Sequence, residues 1–256
     1  MAEPVVITSR DNAFLKELRR LGSDNLAYRK ASKIWVEGEH LCSAALARGQ
    51  IPLVAVFSES FWPAAPASYA QAAIKNIVVQ DALFHGISAL ESPSRVGFLL
   101  ELPSDMVLQP RVASVILDRV QDAGNVGSIL RSAAAFGFMQ VIALKGTAAL
   151  WSPKVLRAGM GAHFGLRLLE GVDQSILDGL EVPLVVTSSH QGELVQNIRL
   201  PHPCAWAMGH EGQGVSPELM ARASHWARIG QPGGEESLNV AAAAAICLHA
   251  SAVSVR

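Results

Sequence analysis

Three short segments dominate the second half of this 256-residue chain, and each lies where an apolar run meets a polar, glycine-rich turn. They occupy residues 117–131, 208–214 and 237–240. In α/β proteins, ligand sites form where the carboxyl ends of parallel strands meet turns of this kind. The three segments therefore predict a single site on an α/β fold.

Strand-like and helix-like stretches alternate along the whole chain. From residue 112 onward this alternation predicts a parallel sheet covered by helices on both faces. Pro103 and Pro110 bracket a short polar stretch that is typical of a linker. The expected organisation is a small α/β domain at 1–102, a linker at 103–111 and a larger α/β domain at 112–256.

The apolar runs and helical spacings place the individual elements. Strands are expected at 34–36, 53–57, 77–79 and 96–100 in the first domain, and at 112–117, 139–143, 184–187, 204–208 and 226–229 in the second. Helices are expected at 10–22, 40–47, 126–137 and 153–160. The apolar run 241–253 predicts a buried C-terminal helix, since it is shorter than the roughly 20 residues of a membrane span.

The formal net charge of −1 gives no overall sign of a nucleic-acid partner. A local candidate for an RNA-binding face does exist near the N-terminus, although these side chains also fit an ordinary solvated helix face. It consists of Arg19, Arg20, Arg29 and Lys30.

The three cysteines, Cys42, Cys204 and Cys247, are far apart in sequence and form no CxxC pair. This spacing suggests neither a zinc site nor a disulfide framework, and no other metal-ligand cluster is evident. The N-terminus lacks the basic and apolar regions of a signal peptide. Reduced thiols and a cytoplasmic location are the simplest expectation.

In the first segment, Gly124 and Gly127 permit tight backbone turns directly after a strand, and Asn125 tolerates left-handed geometry. The helix that follows carries Arg131 about two turns in. An arginine on such a helix is usually a surface residue, so its position alone leaves a functional and a solvated role open.

In the second segment, the glycines 209, 212 and 214 follow a strand in an order that is the reverse of the dinucleotide-binding fingerprint. A Gly-Lys-Ser/Thr phosphate-binding loop and an HExxH metal motif are also missing from this segment. A plain strand-to-helix turn remains possible, with the helix beginning near Ser216 and Pro217. Glu211 is unusual because it places a carboxylate inside a glycine turn.

In the third segment, Ser237 is expected to cap a helix that begins near Leu238. Asn239 would then lie one residue inside the helix, where its side chain competes with helical hydrogen bonds. That placement suggests that the amide of Asn239 has another role.

In this order and spacing the three segments resemble the motifs of the SpoU (TrmH-like) family of RNA ribose 2′-O-methyltransferases, over roughly residues 112–252. The resemblance implies S-adenosylmethionine as cofactor. Two positions depart from the family pattern: Gly230 replaces a common Pro, and Gly159 replaces a frequent Ser. The implied catalytic residues are Asn125, Arg131, Glu211, Ser237 and Asn239, and the implied cofactor-binding residues are Thr187, Gly209, Gly214, Ile229 and Leu238.

The same resemblance implies a SPOUT fold with a C-terminal trefoil knot and a homodimer whose active sites form across the interface. The N-terminal pattern of Asn12, Lys16 and residues 35–38 resembles an L30e-like substrate-binding domain, which is an RNA-binding fold. This front domain favours ribosomal RNA, most naturally of the large subunit, over transfer RNA as the substrate.

The implied reaction transfers a methyl group to a ribose 2′-hydroxyl, which is a poor nucleophile until it loses its proton or its developing charge is stabilised. Family proposals make the equivalent of Arg131 the base, but an arginine keeps its proton under ordinary conditions, so stabilisation of charge suits it better. Two other function classes remain as alternatives, a catalytically inactive RNA-binding relative and a dinucleotide-dependent enzyme. Within the enzyme class, transfer RNA is the alternative substrate.

Overall fold

The computed structural model describes residues 3–88, 92, 94–104, 106–188, 191–233 and 237–254. The described chain forms two compact units. The first comprises residues up to 104 together with 151–164, and the second comprises the remaining segments between 106 and 254.

The strands and helices have the following bounds, in chain order. The strands are β1 (Val5–Ile7), β2 (Lys33–Glu37), β3 (Val54–Ser58), β4 (Lys75–Val79), β5 (Val96–Glu101), β6 (Ser114–Leu117), β7 (Gln140–Leu144), β8 (Arg167–Val172), β9 (Leu184–Thr187), β10 (Glu193–Leu194), β11 (Ala205–Met208) and β12 (His225–Arg228). The α-helices are α1 (Ala13–Ser23), α2 (Ala27–Ala31), α3 (Glu39–Ala47), α4 (Ala67–Ala72), α5 (Asp81–His85), α6 (Ala123–Ala135), α7 (Pro153–Gly159), α8 (Pro217–Arg222) and α9 (Val240–Val253).

In the first unit the strand order is β1-β4-β3-β5-β2. The sheet is mixed, because β1, β4 and β3 are parallel whereas β5 is antiparallel to both β3 and β2. Helix α1 begins where the Asn12 side chain accepts a hydrogen bond from the Phe14 N–H at 2.9 Å, and it buries its apolar face, which includes Leu15 and Leu18. The segment that contains α7 packs with this unit, against α1 and β2.

In the second unit the strand order is β10-β12-β9-β11-β6-β7-β8, and every described pair is parallel. This confirms the expected parallel sheet. Side chains of Ile116, Ile142, Val186 and Ala207 form part of a buried cluster on one face. On α9, Ser251 accepts a buried hydrogen bond from the Trp206 indole N–H at 2.8 Å, so that helix packs against β11.

The strand β12 lies between β9 and β10, although both precede it in the chain. The β9–β10 connection runs close to the backbone of β12, since a Cβ on Gly192 would lie 2.3 Å from the carbonyl oxygen of Trp226. Gly192 also has φ +98°, a conformation that favours glycine. A later strand is therefore inserted between two earlier, directly connected ones.

The C-terminal helix α9 differs from the expectation in two respects. It is only partly buried, because Ala242, Ile246, His249 and Val253 are exposed at helical spacing, whereas Ala244, Cys247, Leu248 and Ser251 are buried. Its N-cap is Asn239, so the prediction that Ser237 caps a helix from Leu238 was wrong. Within the described ranges, no helix has the length and apolar character needed to cross a membrane.

Candidate functional site

The sheet register of the second unit brings the first two of the three segments, 117–131 and 208–214, to one edge. Leu117 pairs with Met208, and Thr187 pairs with Ala227 on the next strands. Since all these strands are parallel, the residues that follow them leave the sheet at the same edge, as the sequence predicts. Asp118, Gly209 and Ile229 therefore begin neighbouring loops.

Three of the five predicted catalytic residues form a hydrogen-bonded chain. The Asn239 side-chain N–H donates to Asn125 Oδ1 at 2.9 Å, and the Asn125 Nδ2 donates to Glu211 Oε1 at 3.1 Å. Asn239 Oδ1 accepts from the backbone N–H groups of Ala241 and Ala242 at 2.9 and 3.2 Å. The chain of amides thus joins the N-termini of α6 and α9 to the loop after β11.

The Glu211 carboxylate also accepts hydrogen bonds from the backbone N–H groups of Gln121 and Asp122, at 3.2 and 3.1 Å. Partial burial acts to raise the pKa of Glu211, but the bonds from Asp122, Asn125 and Gln121 outweigh it and lower that pKa overall. This carboxylate is held ionised and its lone pairs are largely used. It suits organising the site better than taking up a proton.

Arg131 and Ser237 are not part of this chain. Both are exposed, and neither side chain makes a hydrogen bond or an ion pair within the described part of the protein. Arg131 follows Asn125 by six residues on α6, about 9 Å along the axis and about 120° away around it. One copy of the chain therefore does not bring Arg131 against Asn125 and Glu211.

The loop at residues 209–216, here called the glycine loop, has a defined shape. His210 and Gly214 exchange two backbone hydrogen bonds, at 3.0 and 2.8 Å. Position 209 admits no side chain, because a Cβ there would lie 2.1 Å from the carbonyl carbon of Gly214. Gly214 has φ +69°, so both predicted cofactor-binding glycines are required by the backbone.

The other predicted cofactor residues surround the same edge of the sheet. Thr187 ends β9, and Ile229 follows β12; both are half-buried. Leu238 is 40% exposed, although it is a large apolar side chain. In the loop after β12, Gln231 Oε1 is buried without a hydrogen-bond partner in the described structure. An apolar ligand surface and a ligand donor would satisfy these two features.

Comparison with known proteins identifies the family. Residues 113–249 match the model of the SpoU rRNA Methylase family. The chain belongs to that family. It is 29% identical over 247 residues to the 23S rRNA (guanosine(2553)-2′-O)-methyltransferase RlmP of Bacillus subtilis, covering 95% of this chain and 97% of that one.

Solved structures agree with this assignment. An AdoMet-bound rRNA methyltransferase from Sinorhizobium meliloti superposes with a TM-score of 0.84 at 26% identity, covering 98% of both chains. An RNA 2′-O ribose methyltransferase superposes with a TM-score of 0.80 at 27% identity, over 98% of this chain and 99% of that one. The expected family, SPOUT-type α/β fold and enzyme class, an RNA methyltransferase, are confirmed.

The difference from the SpoU family pattern at Gly159, where a Ser is frequent, has a local structural cause. A Cβ at this position would lie 2.4 Å from Cε1 of the buried His163 ring, so a serine fits only if that ring moves. His163 in turn packs beside Trp151, with ring centroids 5.2 Å apart. Gly230 is less constrained, since a Cβ there would meet only Leu194 Cδ2 closely, at 3.3 Å.

The four predicted RNA-binding residues occupy different settings in the first unit. Arg19 donates to the backbone carbonyls of Gly86 and Arg10, at 3.0 and 3.2 Å, and so supports the fold. Arg29 donates to the Tyr28 hydroxyl at 3.1 Å. Arg20 and Lys30 instead line a shallow cavity of about 330 Å³, which they share with Lys16.

Sequence reasoning gave no role to Asp118, Arg119 and Gln213, which connect the β6 edge to the glycine loop. Asp118 Oδ2 accepts from the Ser216 N–H at 2.6 Å, and Arg119 donates to Gln213 Oε1 at 2.9 Å. The available signal was an Asp-Arg pair placed directly after a buried strand. Ser216, which bonds to Asp118 from 98 residues later in the chain, belongs to no recognisable motif that would indicate this contact.

Proposed function

We propose that this SpoU enzyme transfers a methyl group from S-adenosylmethionine to a ribose 2′-hydroxyl of ribosomal RNA. The observation that carries the proposal is the hydrogen-bonded chain of Asn239, Asn125 and Glu211 beside the glycine loop. The full-length similarity to a 23S rRNA 2′-O-methyltransferase supports ribosomal RNA as the substrate.

The residues at the carboxyl edge of the sheet fit S-adenosylmethionine. Leu238 offers exposed apolar surface for a flat base, and Gln231 offers an unsatisfied buried acceptor. Gly209 and Gly214 shape the adjoining loop. When bound, the cofactor supplies an electrophilic methyl group on a sulfonium centre. Thr187 and Ile229 complete the proposed binding site.

The protein's part in the reaction is to orient the ribose and to stabilise charge on its 2′-oxygen. Arg131 is exposed and free of partners among the described residues, so its guanidinium is available to the RNA. A guanidinium stabilises a developing alkoxide and can grip an adjacent phosphate. We assign it electrostatic catalysis rather than proton removal, and we place Ser237 and Asn239 among the polar groups of the completed site.

A second copy of the chain is proposed to complete the site. Next to α6, helix α9 exposes an apolar stripe that includes Ile246 and Val253, 40% and 47% exposed. Met139, beyond the end of α6, is 48% exposed. Apolar side chains in such a stripe favour burial against another protein surface. Light scattering should give a dimer for the wild type and a monomer for Ile246→Asp with Val253→Asp; a monomeric wild type would contradict this.

The L30e-like first unit is proposed to contact the RNA, through Lys16, Arg20 and Lys30 rather than Arg19. Exposed lysine and arginine side chains around one depression can contact several phosphates. Lys16→Glu with Lys30→Glu should weaken RNA binding without changing cofactor affinity, whereas unchanged RNA affinity would remove this assignment.

The C-terminal trefoil knot also remains a proposal. The insertion of β12 between β9 and β10 supports it, because the chain must pass the β9–β10 connection to reach that position. A cytoplasmic location fits an RNA substrate and the three cysteines, which are buried and free.

Titration calorimetry with S-adenosylmethionine tests the cofactor assignment. The wild type should bind, and Leu238→Arg should lose binding, because a charged side chain replaces apolar surface at the site. Ile51→Arg is a matched control, since Ile51 is an exposed apolar residue of the first unit. Equal binding by Leu238→Arg and wild type would contradict the placement of the cofactor.

A further inference from the structure

The carboxylate of Asp118 lies at the start of the loop after β6 and is 3% exposed. Its Oδ1 accepts from Arg119 Nε at 2.9 Å. Its Oδ2 accepts a hydrogen bond from the backbone N–H of Ser216, the last residue of the glycine loop. One buried charge therefore holds both its own neighbour and a segment far away in sequence.

Arg119 has φ +59°, a left-handed conformation that is uncommon for a residue with a side chain. Its backbone N–H donates to Thr147 Oγ1 at 3.1 Å, and Thr147 Oγ1 in turn donates to the Leu117 carbonyl at 2.9 Å. A Cβ on Gly146 would lie 3.1 Å from Arg119 Cγ, so the turn after β7 leaves space for this side chain. A strained residue persists only where its surroundings fix it, and such residues cluster at functional sites.

The guanidinium of Arg119 reaches the middle of the glycine loop, because its Nη1 donates to Gln213 Oε1 at 2.9 Å. Burial acts to raise the pKa of Asp118, but the hydrogen bonds from Arg119 and Ser216 outweigh it and lower that pKa. The carboxylate thus stays ionised at neutral pH. Bonds to an ionised acceptor are shorter and stronger than neutral ones.

We infer that Asp118 and Arg119 are positioning residues that hold the glycine loop in its cofactor-binding shape before the cofactor arrives. The loop contains glycine at 209, 212 and 214, so without attachments it would have many accessible conformations. Fixing a loop in its bound conformation lowers the entropic cost of binding. The inference deepens the proposed function, since it rests on the glycine loop being part of the S-adenosylmethionine site.

Two variants remove the hydrogen bond between Arg119 and Gln213, each by changing one of its two partners. Gln213→Ala deletes the exposed acceptor and leaves the Asp118–Arg119 pair intact, so its folding is secure. Arg119→Met deletes the guanidinium and retains side-chain length. Arg111→Met is the control, because Arg111 pairs with Glu181 at the other edge of the same sheet, where β6 and β9 begin.

Three measurements are needed on the full-length chain: cofactor affinity by calorimetry, steady-state kinetics, and hydrogen exchange of backbone amides in the glycine loop. Gln213→Ala should weaken S-adenosylmethionine binding about tenfold, the loss of one charge-assisted hydrogen bond. The loss should appear in the KM for the cofactor more than in kcat. Exchange at 210–216 should accelerate in both variants and not in Arg111→Met.

The double variant should bind the cofactor no more weakly than Arg119→Met alone, because both changes remove the same contact. Unchanged cofactor affinity and unchanged loop exchange in Gln213→Ala would overturn the inference. If wild type itself fails to bind S-adenosylmethionine, the proposed function fails instead, and the exchange rates alone then decide whether the two residues hold the loop.

Discussion

The side-chain amide of Asn239 donates a hydrogen bond to Asn125 Oδ1 across 2.9 Å, joining residues that are 114 positions apart in the chain. Asn239 uses its oxygen to cap α9 and its nitrogen to hold Asn125. Asn125 passes the connection on to Glu211. One side chain therefore has a structural and an organising role at the same time.

Replacement of Asn239 by alanine should destabilise the folded protein, whereas replacement of Ser237 should not. Loss of a helix cap costs about 1 kcal/mol, and loss of the bond to Asn125 adds to it. Urea unfolding should show Asn239→Ala destabilised by about 1–2 kcal/mol. Ser237→Ala should unfold like wild type, since Ser237 makes no hydrogen bond within the described chain. Equal stability of the two variants would contradict the capping assignment.

Low pH should destabilise the folded protein partly by protonating Asp118. Its folded-state pKa is lowered, so its contribution to stability is fully present above the unfolded-state value of about 4 and is lost as the pH falls through the folded value. Asp118→Asn should therefore be less stable at pH 7 and should lose less stability between about pH 5 and pH 2. If the free energy of unfolding fell with pH in the same way in both proteins, the Asp118–Arg119 pair would not contribute to stability.

Arg131 should control the rate without controlling the fold. Arg131→Ala should lower kcat by about 100-fold or more, as removal of a charge-stabilising donor does, with unchanged unfolding and cofactor affinity. Arg131→Lys keeps the charge, so substantial residual activity is expected. A lysine variant as inactive as the alanine variant would count against electrostatic catalysis.

Gly159→Ser, which restores the SpoU pattern, should destabilise this chain by about 1–3 kcal/mol, because overpacking against the His163 ring forces it to move. Gly159→Ser combined with His163→Ala should recover part of that loss relative to His163→Ala alone. If Gly159→Ser is as stable as wild type under thermal unfolding, the close approach of the ring does not constrain this position.

The sequence could predict the central strands because they are continuous apolar runs. Three of the four edge strands, β1, β8 and β10, were missed, whereas the edge strand β2 was predicted. Strand β8 lies at the edge of its sheet and contains Arg167 and Glu170, so its polar residues interrupt the apolar pattern. Strand β1 at the edge of the other sheet was missed as well, being only three residues long. An edge strand has one neighbour and needs less apolar surface.

The motifs located the site, yet the sequence could not assign its contacts. Whether Ser237 or Asn239 caps α9 depends on a shift of two residues in the helix start, which propensities do not resolve. The bond from Ser216 to Asp118 depends on the register of β6 with β11. The position of Arg131 relative to Asn125 follows directly from helical periodicity once the helix bounds are known.

The most direct test of the central claim is the identity of the methylated nucleoside. Ribosomal RNA lacking the modification should be incubated with the protein and S-adenosylmethionine carrying a labelled methyl group, then digested to nucleosides. The label should appear in a 2′-O-methylribonucleoside, and Arg131→Ala should abolish or strongly reduce it. Label found only on a base, or no transfer by a wild-type protein that binds both cofactor and RNA, would contradict the account.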